Sequence, residues 1–191
     1  MPKSDAPSYY VLTSENPKRM LLSSLKKPGR RDSWLFGRRF AEAPETPVIA
    51  PIVNGYETAE QLDYFGTPPI MSDRFHQALL DAGVDNIDFY DAVLTSDDGK
   101  HRYQGFKAFN IIGLVKAADL KKTRFAADND SRLIDASIEE LSIDGQAARG
   151  LQLFRLAEYA GAVIVHDSIR RALLQRGFPH VVFQDPAQFI S

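Results

Sequence analysis

The sequence predicts an α+β fold with a mainly antiparallel sheet and two principal helix–strand units, around residues 72–94 and 163–183. Three observations lead there. The first is a repeat at an offset of 94: Asp73-x-Phe75-x-x-Ala78-Leu79-Leu80-x-x-Gly83-x-x-x-Ile87-x-Phe89 is matched by Asp167-x-Ile169-x-x-Ala172-Leu173-Leu174-x-x-Gly177-x-x-x-Val181-x-Phe183. The second is helix punctuation, with polar residues at each start and a glycine at each stop. The third is the alternation of apolar residues on either side of the turn signal Asp97-Asp98-Gly99, which marks an antiparallel hairpin.

In chain order, Ser8 to Leu12 is aromatic and β-branched between Pro7 and a polar run, so it reads as a short strand. Residues 18–50 carry little periodicity. Lys26-Lys27-Pro28-Gly29-Arg30-Arg31 is a loop by its Pro-Gly punctuation, and Pro44, Pro47 and Pro51 keep the following stretch extended. Ser72 caps a helix over 73–82 through Phe75, Leu79 and Leu80, and Gly83 stops it. Asn86 to Leu94 and Tyr103 to Val115 form the hairpin arms. Between 119 and 150 the pattern supports at most a short helix at Ser137–Leu141, and Leu151 to Tyr159 fits strand or helix. Ala162 to Val165 is a buried strand, Ser168 to Arg176 a helix capped by Asp167 or Ser168, and Val181 to Phe183 a closing strand. The two units need a shared sheet to cover their apolar faces.

A chain of 191 residues, 44% hydrophobic, can bury one substantial core. The expectation is one structural domain, with residues 1–50 a basic, Pro-rich segment packed on an α+β body of residues 51–191. Charge divides along the same line. Residues 1–50 hold nine Lys/Arg against five Asp/Glu, and residues 51–191 hold fourteen against twenty. A basic front on an acidic body implies either two kinds of partner or a front folded back on the body. With no cysteine, thiolate metal sites, disulfides and cysteine nucleophiles are excluded. The first residues lack the apolar core of a signal peptide and no stretch is long enough to span a bilayer, so a cytoplasmic location is expected, away from the membrane.

Catalytic motifs find no anchor. His166-Asp167-Ser168 holds three triad residue types, but neighbours in a chain diverge, and a helix start explains them. His76, His101, His166 and His180 form no metal-ligand spacing. The segment from Asp128 resembles a calcium loop, yet Leu133 stands where the turn needs glycine and Arg132 where a ligand belongs. Glycine-rich phosphate loops are missing. No catalytic, cofactor-binding or metal residue is therefore assigned, and no cofactor is expected.

Two charged stretches remain. Lys18, Arg19, Lys26, Lys27, Arg30, Arg31, Arg38 and Arg39 interleave with Trp34, Phe36 and Phe40, a mixture that suits single-stranded nucleic acid or a solvated loop with an aromatic anchor. The body repeats acidic residues at turns and helix ends. Asp97 and Asp98 at the hairpin tip and Asp128 and Asp130 in a loop are the candidate partner-binding residues, because a negative face speeds encounter with a basic protein.

The runs Leu62-Asp63-Tyr64, Ile70-Met71-Ser72-Asp73-Arg74-Phe75, Ile87-x-Phe89-Tyr90, Phe109-Asn110-Ile111-Ile112, Leu153-Phe154-Arg155-Leu156 and Val163-Ile164-Val165, with Tyr103 and Asp119, resemble the immunity-protein family numbered eleven among bacterial polymorphic toxin systems. The likeness covers about residues 9–185 and rests on structural motifs. It implies a non-enzymatic immunity protein, encoded beside a secreted toxin, that neutralises the cognate toxin or toxin domain by stoichiometric protein–protein binding. The chain departs from the pattern at Leu120-Lys121-Lys122-Thr123 and in its basic loop. The alternatives are an enzyme with a dispersed carboxylate site and a nucleic-acid-associated regulator working through the basic loop.

Overall fold

The computed structural model describes residues 8–15, 20–55, 59, 62–126 and 137–191. These form thirteen strands and two α-helices, numbered in chain order. The class is α+β, but the strands are divided between two principal sheets. The first sheet has the order β2 (Leu21–Leu22), β3 (Val48–Asn54), β6 (Ile87–Ser96), β7 (Arg102–Ile111), β5 (Ile70–Ser72) and β4 (Tyr64–Phe65). The second has the order β13 (Val181–Gln184), β1 (Tyr9–Ser14), β12 (Tyr159–His166), β11 (Leu153–Leu156) and β8 (Leu114–Val115). A small ribbon pairs β9 (Arg124–Phe125) with β10 (Ile138–Glu140). Pairing is antiparallel except for β3 with β6 and β8 with β11.

The two repeated units sit one on each sheet. Helix α1 (Asp73–Asp81) joins β5 to β6, which lie parallel on either side of β7; helix α2 (Asp167–Arg176) joins β12 to β13, which lie parallel on either side of β1. The register is the same in both. Ser72 faces Phe106 and Ile87 faces Ile111 in the first unit; His166 faces Tyr9 and Val181 faces Ser14 in the second. The outer strands thus correspond at an offset of 94, and the strand between them at 97 in both pairings. The repeat is a structural duplication with one twist: the strand that completes each unit comes from the other half of the chain.

Both helices are capped at the residue before the repeat. Ser72 Oγ accepts from the Phe75 N–H at 3.2 Å, and at the equivalent position His166 Nδ1 accepts from the Ser168 N–H at 3.2 Å. The cap of α2 is therefore His166, not Asp167 or Ser168. Gly83 (φ +85°) and Gly177 (φ +70°) occupy the left-handed conformation that ends each helix. Leu80 and Leu174, equivalent by the repeat, are 43% and 51% exposed, so Leu80 is not the core position its spacing suggests.

Three cores follow from sheets that are buried on both faces. The central one places α1 and α2 between the sheets, with Phe75, Leu79, Phe109 and Ile111 meeting Leu12, Val163, Val165 and Leu173. An outer core of Met20, Leu25, Trp34, Val48, Ala50, Phe106 and Ala108 lies where residues 20–47 cover the first sheet. Its counterpart on the second sheet gathers Val11, Ala117, Ile138, Leu141, Phe154 and Ile164 under residues 116–126 and 137–148. Alternation does the sorting: in β1, Tyr10 and Leu12 face the centre, Tyr9 and Val11 the outside.

Three local expectations change. Ile138–Glu140 is a strand, because its apolar residue must cover the second sheet; the predicted short helix at Ser137–Leu141 is absent. Leu153–Leu156 resolves as a strand. The run Tyr103 to Val115 is cut at Gly113 (φ +148°), where the chain leaves β7 in the first sheet and enters β8 in the second. Among the described residues no helix is long and apolar enough to cross a membrane.

Phe109 lies at the meeting point of these layers, fully buried and stacked on Tyr64 with ring centroids 5.9 Å apart. Phe109→Ala is expected to cost about 3–5 kcal/mol in urea unfolding, whereas Phe36→Ala, on the surface, changes stability by less than about 0.5 kcal/mol.

Candidate partner-binding surface

The hairpin tip is built around Asp98. Its Oδ1 accepts from Ser96 Oγ at 2.6 Å and from the Lys100 N–H at 3.0 Å, and Lys100 Nζ stands 3.4 Å from Oδ2. The Ser96 hydroxyl, before the other contacts, holds this carboxyl below its ordinary range. Asp98 therefore shapes the turn, with Gly99 (φ +68°) completing it, and Asp97 beside it is exposed. Asp128 and Asp130 lie outside the described residues. The structure thus brings Asp97 and Asp98 together at one tip, and the first of them is the carboxylate left facing outward.

The basic loop is more rigidly mounted than its composition suggests. Trp34 is buried edge-on to Phe40 and Tyr90, with centroids 4.9 and 5.8 Å away, and its indole N–H donates to the Lys26 carbonyl at 3.0 Å. Buried Asp32 accepts from the Ala41 N–H at 3.3 Å and lies 3.7 Å from Arg38. Two further bonds fasten the loop to β7 and its exit: Asn110 Nδ2 donates to the Arg38 carbonyl at 2.8 Å, and the Gly113 N–H to the Gly37 carbonyl at 2.8 Å. Gly37 (φ +66°) is required there, since a Cβ would meet the Leu114 nitrogen at 2.5 Å. The front is thus folded back on the body through Trp34 and Phe40, while Arg30, Arg31, Arg38 and Arg39 lie exposed, the last paired with Asp88 at 2.9 Å. Between residues 29–32 and 38–42 they line a cleft of about 690 Å³ with Arg30, Arg31, Arg38 and Arg39 on its walls, and Asp32 and Glu42 among them.

The triad-like run is used locally. His166 Nδ1 lies 2.9 Å from Ser168 Oγ, but Asp167 turns to Arg170 (2.8 Å) and Arg171 (3.0 Å) on its own helix. His76 is half-buried against the Phe89 ring at 4.0 Å. Burial first, then Lys107, pushes its pKa below the ordinary 6.5. Among the described residues no group of three or more His, Asp or Glu could hold a metal.

Two buried polar centres escape sequence reasoning. Asp63 receives the Arg74 fork at 2.6 and 2.5 Å together with Ser72 Oγ at 2.6 Å, so it anchors the start of α1. Arg155 is fully buried on β11; it donates to the Ala160 carbonyl at 2.9 Å and to the Gly66 carbonyl at 3.3 Å, across to the other sheet. Burial lowers its pKa and raises that of buried Tyr64, an effect the nearby guanidinium partly offsets. Arg155 sits in the apolar run Leu153-Phe154-Arg155-Leu156, and the only hint is that a charge interrupts a strand buried on both faces.

The sequence model of the immunity protein family Imm11 matches residues 5–188. The chain belongs to that family. No curated protein gives a significant match.

His76 makes a testable contribution to pH dependence. Because its folded-state pKa lies below 6.5, the unfolded chain takes up the proton first, and stability present above that value is lost as pH falls below it. The melting temperature is expected to drop between pH 7 and pH 5, with a shallower drop in His76→Gln; parallel curves for the two proteins would contradict this.

Proposed function

We propose that this protein is a cytoplasmic immunity protein that neutralises a cognate toxin, or the toxin domain of a secreted effector, by binding it one to one without chemical turnover. The observation that carries the reading is the family match, which spans nearly the whole chain and includes the strands and helices of both units. Its physical support is the character of the surface. The acidic tip and the arginine loop are held on stiff two-sided sheets, which suits recognition of another protein's folded surface with little ordering cost.

The neighbouring reading frame tests this. Cells expressing its toxic domain are expected to survive when this chain is co-expressed, and the two proteins to co-purify in equal amounts. Continued killing at full expression of the folded chain would refute the reading.

Within it, Asp97, Asp98, Asp128 and Asp130 contribute to a negative contact surface for a basic toxin. Asp98 is spared in the test because it builds the turn. Reversing Asp97, Asp128 and Asp130 to Lys is expected to slow association about tenfold or more at low salt, with the difference shrinking as salt rises. An unchanged association rate would remove these residues from the interface.

A further inference from the structure

We propose that the arginine cleft between residues 29–32 and 38–42 is a docking site for a carboxylate-rich segment of a partner protein. This rests on the reading that the chain works by covering another protein, and adds a second contact surface of opposite sign to the acidic tip.

The cations there are available. Arg30 and Arg31 are exposed, and their side chains form no ion pair with any described residue. Arg38 is only partly engaged: one nitrogen donates to the Arg31 carbonyl at 2.6 Å and stands 3.7 Å from Asp32, and the side chain remains 59% exposed. Three guanidinium groups around one cleft match carboxylates, which arginine binds through paired N–H bonds. Phe36, 54% exposed and 5.9 Å from the Arg38 guanidinium carbon, supplies an apolar contact at the rim. Arginine beside an exposed aromatic ring is the composition that concentrates binding energy in protein interfaces.

The mounting adds to the case. Trp34 packs on Tyr90 of β6, Asn110 of β7 and Gly113 just beyond it hold the Arg38 and Gly37 carbonyls, and Asp32 ties the loop to itself at Ala41, so its arginines are displayed from a fixed backbone and binding does not have to order it. The sign is local too, since residues 51–191 carry six more acidic than basic side chains.

The cleft favours discrete carboxylates over a nucleic-acid backbone. Asp32 and Glu42 line it, and Arg39 is already paired with Asp88 at 2.9 Å, so the row of cations that a phosphate track needs is interrupted. Of the loop's aromatic residues Phe36 alone is exposed, a single ring and not the row on which successive bases stack: Trp34 is buried and Phe40 packs on Tyr90. Arg39 holds the Asp88 end of β6, whereas the acidic tip lies beyond its other end, about 30 Å along an extended strand. One short segment cannot cover both.

The test is titration of the isotope-labelled full-length chain, followed by NMR, with a ten-glutamate peptide and separately with a ten-nucleotide oligothymidylate at physiological salt. The peptide is expected to shift the signals of Arg30, Arg31 and Arg38 and the amides of residues 29–42, and to bind about tenfold more weakly to R30Q/R31Q, whose melting temperature is unchanged. Shifts confined to other residues, equal binding by R30Q/R31Q, or tighter binding of the oligothymidylate at the cleft would each overturn the proposal. With the neighbouring frame's toxic domain as probe, R30Q/R31Q is expected to lose at least about tenfold in affinity. Equal affinity would overturn the docking site and leave the immunity reading intact. A toxic domain that ignores the wild-type chain would sink the immunity reading, and the peptide titration would then decide the cleft alone.

Discussion

The constraint on which the rest depends is the exchange of central strands. β7 fills the gap between β5 and β6, and β1 fills the gap between β12 and β13, so neither helix–strand unit has a complete sheet within its own half of the chain. A gap of one strand leaves two rows of backbone N–H and C=O groups unpaired, and burying those groups unpaired is costly. The exchange satisfies both gaps at once. It also brings α1 and α2 face to face, where the ion pair of Asp81 with Arg176 and the 5.0 Å edge contact of Phe75 with Phe178 tie them.

From that arrangement the charged surfaces take their positions. Each sheet is apolar on both faces, so each needs an outer cover, and residues 20–47 supply it on the first sheet and residues 116–126 and 137–148 on the second. The cover of the first sheet is also the basic stretch: Trp34 and Phe40 turn inward to Tyr90, while Arg30, Arg31 and Arg38 are exposed and Arg39 pairs with Asp88. Arg155 fits the same scheme from inside. A guanidinium reaching from β11 to the Gly66 carbonyl spans the two sheets with hydrogen bonds, at a desolvation cost that its carbonyl partners offset only in part.

Local signals in the sequence carried the helices, their glycine stops, the hairpin and the repeat, because capping, periodicity and turn chemistry act over a few residues. The role of Asp98 in its turn, through Ser96 and Lys100, is of the same local kind. What escaped was long-range. Nothing near residue 9 announces that β1 will pair with both β12 and β13, and the division into two sheets hinges on one glycine, Gly113, inside an otherwise continuous apolar run. The cap at His166 was hidden because an imidazole seldom takes that place. The arginine cleft was legible as charge but not as shape, since one wall is held by Asn110, 72 residues from the Arg38 carbonyl to which it donates, and only the Asp32–Ala41 contact is local.

β1, residues 9–14, finds its partners only at residues 163–166 and 181–184. During synthesis β1 therefore waits, unpaired and apolar, until residues 163–166 and 181–184 have left the ribosome. A partly made chain has no second sheet, and with it no closed interior for the helices. The interior closes only once residues 163–166 and 181–184 are in reach of β1, so copies in which that stretch is still missing lack the fold on which both charged surfaces are mounted.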